Sequence, residues 1–147
     1  MNNSDIIVQS QTDDQKLEIA LNFLSALRIG DWNLLRSIIT EDCVWTFPGT
    51  SMISGEAIGT NAIIERAKIL SGFEVTLQLN HILYGQHDVA LSIHTQASRN
   101  GIQLNAFLAM VCLLKDDKIA AINTHLSNVL AVNAFFTEEN IHSNVPL

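Results

Sequence analysis

The stretch Ile102–Lys115, with the sequence IQLNAFLAMVCLLK, determines how the rest of the chain is interpreted. Alternate residues of a β-strand point to opposite faces of a sheet. One set of alternate residues is Leu104, Ala106, Leu108, Met110, Cys112 and Leu114, and the other is Asn105, Phe107, Ala109, Val111 and Leu113. Both sets are mainly apolar, whereas an antiparallel sheet in a monomer normally has one polar, solvated face. We therefore expect both faces of this strand to be covered, one by helices and the other by a second subunit. The alternative is a central strand in the two-sided core of a single domain.

Strands surround this stretch on both sides. β-branched residues, alternation and turn signals predict strands at residues 43–47, 74–84, 88–98, 102–115 and 118–127. Pro48-Gly49 ends the first strand, and residues 55–59 are predicted to be a turn region. Turns at Gly85, Asn100-Gly101 and Asp116-Asp117 separate the later strands.

Helix signals come mainly before the strands. Thr12 to Gln15 fits a capping box, and apolar residues at helical spacing continue from there to Gly30. Asp31 can cap a second, short helix, and a third helix is predicted from Thr60 to Gly72. Helices followed by a run of antiparallel strands are typical of an α+β fold.

The length of 147 residues fits one domain. We predict a flexible leader at residues 1–11, a single domain at 12–136 and a C-terminal tail at 137–147. Residues 130–136 are apolar at helix-compatible spacing, which predicts either a lid or a dimer-packing segment.

The composition excludes several classes of protein. Hydrophobic residues make up 48% of the chain and charged residues only 16%, so the chain is not disordered. The net charge is −7 and the basic residues are scattered, which argues against nucleic-acid binding. Neither a secretory signal nor a membrane span is predicted, so we expect a soluble, cytoplasmic protein. Cys43 and Cys112 lie in apolar runs, which favours buried thiols over a disulfide. No histidine cluster has the spacing of a metal site, and no cofactor is expected.

Three motifs occur in an order that resembles a known family. These are Gly30-Asp31-Trp32 between two helices, the stretch DCVWTFPG at residues 42–49, and Gly55 followed by a helix. Over about residues 12–136 the chain resembles the SnoaL-like group, part of the superfamily named after nuclear transport factor 2 that includes ketosteroid isomerase. The resemblance implies a cone-shaped, curved antiparallel sheet wrapped by three N-terminal helices. It also implies a deep internal pocket and frequent dimers.

The resemblance does not bring the catalytic residues of ketosteroid isomerase with it. That enzyme uses a Tyr on the first helix, an Asp general base and a protonated Asp on a late strand. The matching positions in this sequence are Phe23, Phe47 and Ala109, and none of these side chains can transfer a proton. Steroid isomerisation by that mechanism is therefore not predicted.

Counting along the strands from the same motifs predicts a ligand-binding set on the cavity face. With Phe23 it comprises Trp45, Phe47, Leu91, Ile93, Thr95, Asn105, Phe107, Ala109, Val111, Ile122, Thr124 and Leu126. The Trp45 indole, Thr95, Asn105 and Thr124 are the polar groups in this set, so the lining suits an apolar or aromatic ligand.

Histidines are the candidate proton carriers, because His titrates nearest to neutral pH. The candidates are His81, His94 and His125; the counting places the last two on the outer face and leaves His81 open. The first hypothesis is a cofactor-independent isomerase, cyclase, dehydratase or hydrolase that acts on an apolar small molecule. The alternatives are a non-catalytic binding protein for an apolar ligand and a dimerisation module.

Overall fold

The computed structural model describes residues 11–142, so the predicted leader, apart from Gln11, and the end of the tail lie outside the described residues. The elements in chain order are α1 (Asp13–Ile29), α2 (Trp32–Ile38), β1 (Ile39–Phe47), β2 (Gly55–Ile58), α3 (Thr60–Gly72), β3 (Thr76–Tyr84), β4 (Asp88–Arg99), β5 (Ile102–Lys115), β6 (Lys118–Leu126), α4 (Val129–Phe135) and α5 (Glu138–His142). The predicted α+β class is confirmed.

Local hydrogen bonds explain where the first two helices begin and end. The Gln15 backbone N–H donates to the Thr12 hydroxyl and the Thr12 N–H donates to the Gln15 side chain, which completes the predicted capping box. Gly30 ends α1 in a left-handed conformation with φ of 71°, a geometry that glycine adopts without steric cost. The Asp31 carboxylate then accepts the Leu34 N–H and starts α2.

The six strands form one curved, unclosed sheet in the order β2-β1-β6-β5-β4-β3. The prediction of a turn at residues 55–59 is wrong, because Gly55–Ile58 pairs with β1 as strand β2. Gly55 and Gly59 flank this strand with φ of 95° and 90°, so these glycines mark the ends of a short strand. Neighbouring strands of the sheet run antiparallel except β1 and β6, which run parallel. The first long strand and the last one thus lie side by side.

The helices cover the concave face of the sheet. Phe23 of α1, Ile63 of α3, Trp45 of β1 and Leu91 of β4 are fully buried between the two layers. The pairing of β3 with β4 shifts its register near Asn80, and the pairing of β5 with β6 shifts between Leu113 and Leu114. Such shifts are typical of β-bulges, which bend a sheet. We call the concave side of the sheet the inner face and the opposite side the outer face.

Residues 137–142 of the predicted tail are folded onto the domain. The Asn140 side chain is buried and donates to the backbone carbonyls of Ala134 and Phe135. Arg99 donates to the carbonyls of Asn140 and Ile141. The helices of the described segment are too short or too polar to cross a membrane.

Candidate functional site

The inner face and the helices enclose a small cavity with a volume of about 20 Å³. Its lining consists of Leu27, Trp45, Phe47, Ile53, Leu70, Leu77, Thr95, Leu108, Met110, Leu126, Val132 and Phe136. A space of this size holds about one water molecule. The deep pocket implied by the resemblance is therefore not present in this conformation, because large side chains such as Trp45, Phe47 and Phe136 fill the cone.

The polar atoms of the cavity wall are few. The Trp45 indole N–H donates to the Thr124 hydroxyl at 2.8 Å, so this buried donor is satisfied. Phe23 and Phe47 pack edge-on against the Trp45 ring, with centroid distances of 6.2 and 6.5 Å. Thr95 is the other lining residue with a hydroxyl or N–H in its side chain. The lining, drawn from residues 27–136, holds no Asp, Glu, His, Lys or Arg.

The predicted inner-face residues agree with the structure on β1, β4 and β6. The side chains of Leu91, Ile93, Thr95, Ile122 and Thr124 are buried beneath the helices. Of the whole predicted set, Trp45, Phe47, Thr95 and Leu126 line the cavity itself. Phe23 is buried directly behind Trp45.

The predicted face of β5 is wrong. The sequence predicts Asn105, Phe107, Ala109 and Val111 in the cavity, but their side chains lie on the outer face, and Phe107 is 54% exposed. Leu108 and Met110 line the cavity instead. Because both faces of β5 are largely apolar, the hydrophobic pattern does not select between two registers that differ by one residue. Neither Leu108 nor Met110 can act as an acid or a base in the site.

The three histidine candidates lie outside the cavity. His81 and His125 are exposed on the outer face, and His94 is half-buried there. The His94 ring stacks on Phe107 with a centroid distance of 4.5 Å, and its Nε2 lies 2.5 Å from the Asn105 side-chain oxygen. The sheet itself separates these imidazoles from the cavity, so the prediction that they act on a ligand there is not supported by their positions.

Eight lining residues were missing from the predicted ligand set. These are Leu27, Ile53, Leu70, Leu77, Leu108, Met110, Val132 and Phe136. Leu27 and Leu70 belong to apolar helical stripes that the sequence does reveal. Val132 and Phe136 lie in the segment predicted as a lid or a dimer-packing segment, and their position over the cavity agrees with the first of these two interpretations.

Hydrogen bonds join helix α4 and the residue that follows it to the loop between β1 and β2. The Thr50 N–H donates to the Asn133 side-chain oxygen at 2.8 Å, and the Met52 N–H donates to the Phe136 carbonyl at 3.0 Å. Gly49 has a φ of 95°, and a Cβ atom there would approach the Asn133 oxygen to 2.5 Å. The close approach of this loop to α4 therefore requires glycine.

The buried Arg66 supports the wall of the cavity from behind. Its guanidinium lies over the Trp45 ring at 5.4 Å and donates to the carbonyls of Trp45, Ser54 and Gly55. Desolvation lowers the pKa of Arg66, but arginine stays protonated at any working pH. Arg66 therefore holds β1 and β2 together and does not point into the cavity.

Cys43 and Cys112 are free thiols buried in the core. Burial, with a smaller effect of Asp42, raises the pKa of Cys43 to about 12. Burial also raises the pKa of Cys112 strongly. Both thiols are therefore protonated and unreactive under ordinary conditions.

Wider depressions occur on the surface. A groove of about 500 Å³ includes Arg36, Glu41, Asn61 and Lys118, and a second, of about 490 Å³, lies beside Glu74. Both are open to solvent, and neither contains convergent polar groups in a buried setting. Within the described part of the chain, no three His, Cys, Asp or Glu side chains are placed to hold a metal ion.

Comparison with solved structures identifies the fold. Bal32a, from a soil-derived mobile gene cassette, matches with a TM-score of 0.79 and 24% identity over 84% of this chain and 97% of its own. A nuclear transport factor 2-like protein from Burkholderia xenovorans matches with a TM-score of 0.75 and 16% identity over 86% of this chain and 98% of its own. TerC, co-crystallised with polyporic acid, matches with a TM-score of 0.71 and 16% identity over 88% of this chain and 99% of its own. No family model and no curated protein matches the sequence.

These matches, with the observed topology, define the class of the protein as an α+β fold with a curved, unclosed sheet. More specifically, the chain has the nuclear transport factor 2-like fold, as the motifs at Gly30, residues 42–49 and Gly55 predict. Many unrelated activities occur on one such fold, so the function must be argued from the site.

Proposed function

We propose that the protein binds a small apolar molecule, without chemical conversion, in the cavity beneath α4. The observation that carries this proposal is the composition of the cavity lining, which is apolar and, for the described residues, free of ionisable side chains. General acid–base catalysis requires a titratable group within hydrogen-bond reach of the reacting atom. The lining therefore favours binding over the isomerase, cyclase, dehydratase and hydrolase activities.

Binding requires the cavity to expand. A benzene-sized ligand occupies an engineered apolar cavity of about 150 Å³, far more than this conformation provides. We expect α4, a helix of seven residues, to be the part of the wall that moves, because it carries Val132 over the cavity and Phe136 follows directly after it. Hydrogen bonds from Thr50 and Met52 link the helix to the neighbouring loop. We expect displacement of α4 to open the cavity and to leave the pairing of the strands intact.

The ligand class follows from the chemistry of the wall. Trp45 and Phe47 provide aromatic surfaces, and Thr95 provides one hydroxyl that can orient a polar substituent. This arrangement favours a compact, aromatic or alicyclic molecule with one hydrogen-bonding group. The co-crystallisation of TerC, a protein of the same fold, with polyporic acid supports a binding function.

Tryptophan fluorescence tests this proposal directly. Trp45 lines the cavity and Trp32 lies outside it, so a Trp32→Phe variant leaves Trp45 as the single reporter. Titration with benzene, phenol, naphthalene and 1-naphthol is expected to quench or shift the emission of Trp45. In the same background, Phe136→Ala is expected to bind naphthalene at least about tenfold more tightly, because the truncation enlarges the cavity.

A matched control separates cavity binding from adsorption to apolar surface. Phe107→Ala removes the same side chain from the outer face and is expected to leave the affinity unchanged. Equal responses of the two variants, or no response of Trp45 to any of the four compounds, would contradict the proposal. Turnover of a bound compound detected by mass spectrometry would favour the enzymatic alternative.

The outer face supports a second proposal, a homodimer. Phe107 and Leu113 are 54% and 46% exposed, and Ala109 and Val111 lie between them on the same strand. Among the described residues of β3–β6, Asp, Glu, Lys and Arg on the outer face are limited to the strand ends. A chain of net charge −7 repels its copies elsewhere, whereas this neutral face can pair with itself.

The area of this face also fits a dimer. Four strands about 4.8 Å apart and about nine residues long give a footprint of about 600 Å², the same order as the roughly 800 Å² that each partner buries in a stable interface. Sedimentation velocity at neutral pH is expected to show the dimer mass. Phe107→Asp is expected to give monomers, whereas Leu130→Asp, at an exposed apolar position on α4, is expected to remain dimeric. A wild-type protein of monomer mass at micromolar concentration would refute the dimer.

A further inference from the structure

Three histidines surround the centre of the outer face. Backbone pairing aligns His81, Ser92, Ala109 and His125 in one row across β3, β4, β5 and β6. His94 lies two residues from Ser92 on β4, opposite Phe107. Since strands are spaced about 4.8 Å apart, the row spans about 14 Å, and the small residues Ser92 and Ala109 lie between His81 and His125.

Few charged groups offset these histidines. On the outer face, Glu56 belongs to the edge strand β2 and Asp88 lies at the start of β4. Lys115 and Lys118 lie opposite each other on β5 and β6, beside the turn that joins these strands. Asp42 lies near the beginning of β1. The immediate neighbours of the histidines on adjacent strands are uncharged: Ser92 beside His81, Gln78 and Phe107 beside His94, and Ala109 beside His125.

We propose that the outer face is a pH-sensitive interface, at which protonation of His81, His94 and His125 separates two copies of the chain. The inference rests on the proposed homodimer. In a two-fold symmetric interface each residue patch faces the same patch of the partner, so three histidines per chain become six. Histidine gains a positive charge between neutral and mildly acidic pH, and like charges placed face to face oppose association.

Uncharged histidine rings favour the proposed dimer. The uncharged His94 ring stacks on Phe107 and hydrogen-bonds to the Asn105 oxygen, which presents a flat, uncharged surface to the partner. Protonation retains this stacking but adds a charge that association would remove from water. The face is therefore self-complementary at neutral pH and self-repelling at acidic pH.

Sedimentation velocity at two pH values tests the inference. The dimer dissociation constant of the wild-type protein is expected to rise at least about tenfold between about pH 7.5 and about pH 5.5. The variant His81→Asn/His94→Asn/His125→Asn carries side chains that stay neutral, and it is expected to dimerise equally at both values. His87→Asn/His142→Asn changes two histidines away from this face and is expected to keep the wild-type response. Circular dichroism at each pH verifies that every variant is folded.

The outcomes separate this inference from the dimer on which it rests. A wild-type monomer at both pH values would refute the homodimer itself. A wild-type dimer of equal affinity at both values would refute the pH response alone. A triple variant that still dissociates at about pH 5.5 would show that other groups, such as Glu56 or Asp88, control the interface.

Discussion

The inner and outer faces of the sheet are both largely apolar, but the outer face also carries histidines. Both faces of β5 are apolar, yet Met110 is buried beneath the helices and Phe107, three residues away, is 54% exposed. The inner face satisfies its one indole donor internally, through Trp45 and Thr124. The outer face carries three histidines that remain accessible to solvent. Of these two apolar surfaces, the inner face around Trp45 thus stays uncharged, whereas the histidines of the outer face can gain a charge.

The two faces are suited to different roles. A cavity whose lining has no ionisable side chain can hold an apolar ligand but offers no acid or base to convert it. A face that carries histidines at its centre can respond to pH while it contacts a partner. The two faces of one sheet are therefore suited to the two roles that we propose.

The largest expected effect comes from placing the same charge on each face of β5. Met110→Asp puts a carboxylate among buried side chains and is expected to cost more than about 4 kcal/mol, enough to prevent stable folding. Val111→Asp, one residue further on the outer face, is expected to fold and to be monomeric, with a loss in the monomer below about 1 kcal/mol. Urea unfolding and sedimentation velocity measure the two effects. Similar losses for both variants would contradict the assigned register.

This pair of variants addresses the point at which sequence reasoning failed. The helices, the long strands and their turns follow from local signals such as the capping box at Thr12 and the stop at Gly30. The face of β1 follows from its alternation around Trp45. For β5, alternation gives no preference, because exchanging the two faces replaces one apolar set with another.

The size of the cavity could not be predicted from the sequence either. The resemblance implies a deep pocket, but its volume depends on how Trp45, Phe47 and Phe136 fill the space between the layers. Packing of this kind is a property of the folded arrangement and of side-chain volumes together. Strand β2 was missed because its four residues lie between glycines, which locally indicate a turn.

The two faces are expected to respond to opposite ends of the pH scale. Burial raises the pKa of Cys43 to about 12 and raises that of Cys112 strongly, while the unfolded thiols ionise near pH 8.5. Above that pH the folded state therefore binds more protons than the unfolded state. The free energy of unfolding has its full value below that pH and falls as the pH rises. At about pH 10 the expected loss is about 2 kcal/mol for each thiol.

Chemical denaturation at about pH 7 and about pH 10 measures this loss. Lysine and tyrosine also titrate in this range, so the wild-type protein is compared with Cys43→Ala/Cys112→Ala. The double variant is expected to be less stable at neutral pH but to lose much less stability on the alkaline side. If the double variant loses as much stability as the wild-type protein between the two pH values, the thiols ionise without unfolding the protein.

A smaller effect is expected from the hydrogen bond of the inner face. Thr124→Val keeps the shape of the side chain but leaves the buried Trp45 N–H without its acceptor at 2.8 Å. An unsatisfied buried donor costs about 2 kcal/mol. Urea unfolding in the Val111→Asp background, in which association is prevented, measures the effect on one chain. A loss near zero would mean that water or a rearranged side chain replaces the hydroxyl.

The smallest effect is expected from the matching hydrogen bond of the outer face. The contact between His94 and Asn105 also joins two side chains, but solvent reaches it, so water can replace either partner. Asn105→Ala in the same Val111→Asp background is therefore expected to cost less than about 0.5 kcal/mol. In the wild-type background, sedimentation velocity is expected to show weaker dimerisation, because the ring of His94 loses the group that orients it. A loss of chain stability as large as that of Thr124→Val would assign this contact to the fold and remove it from the interface.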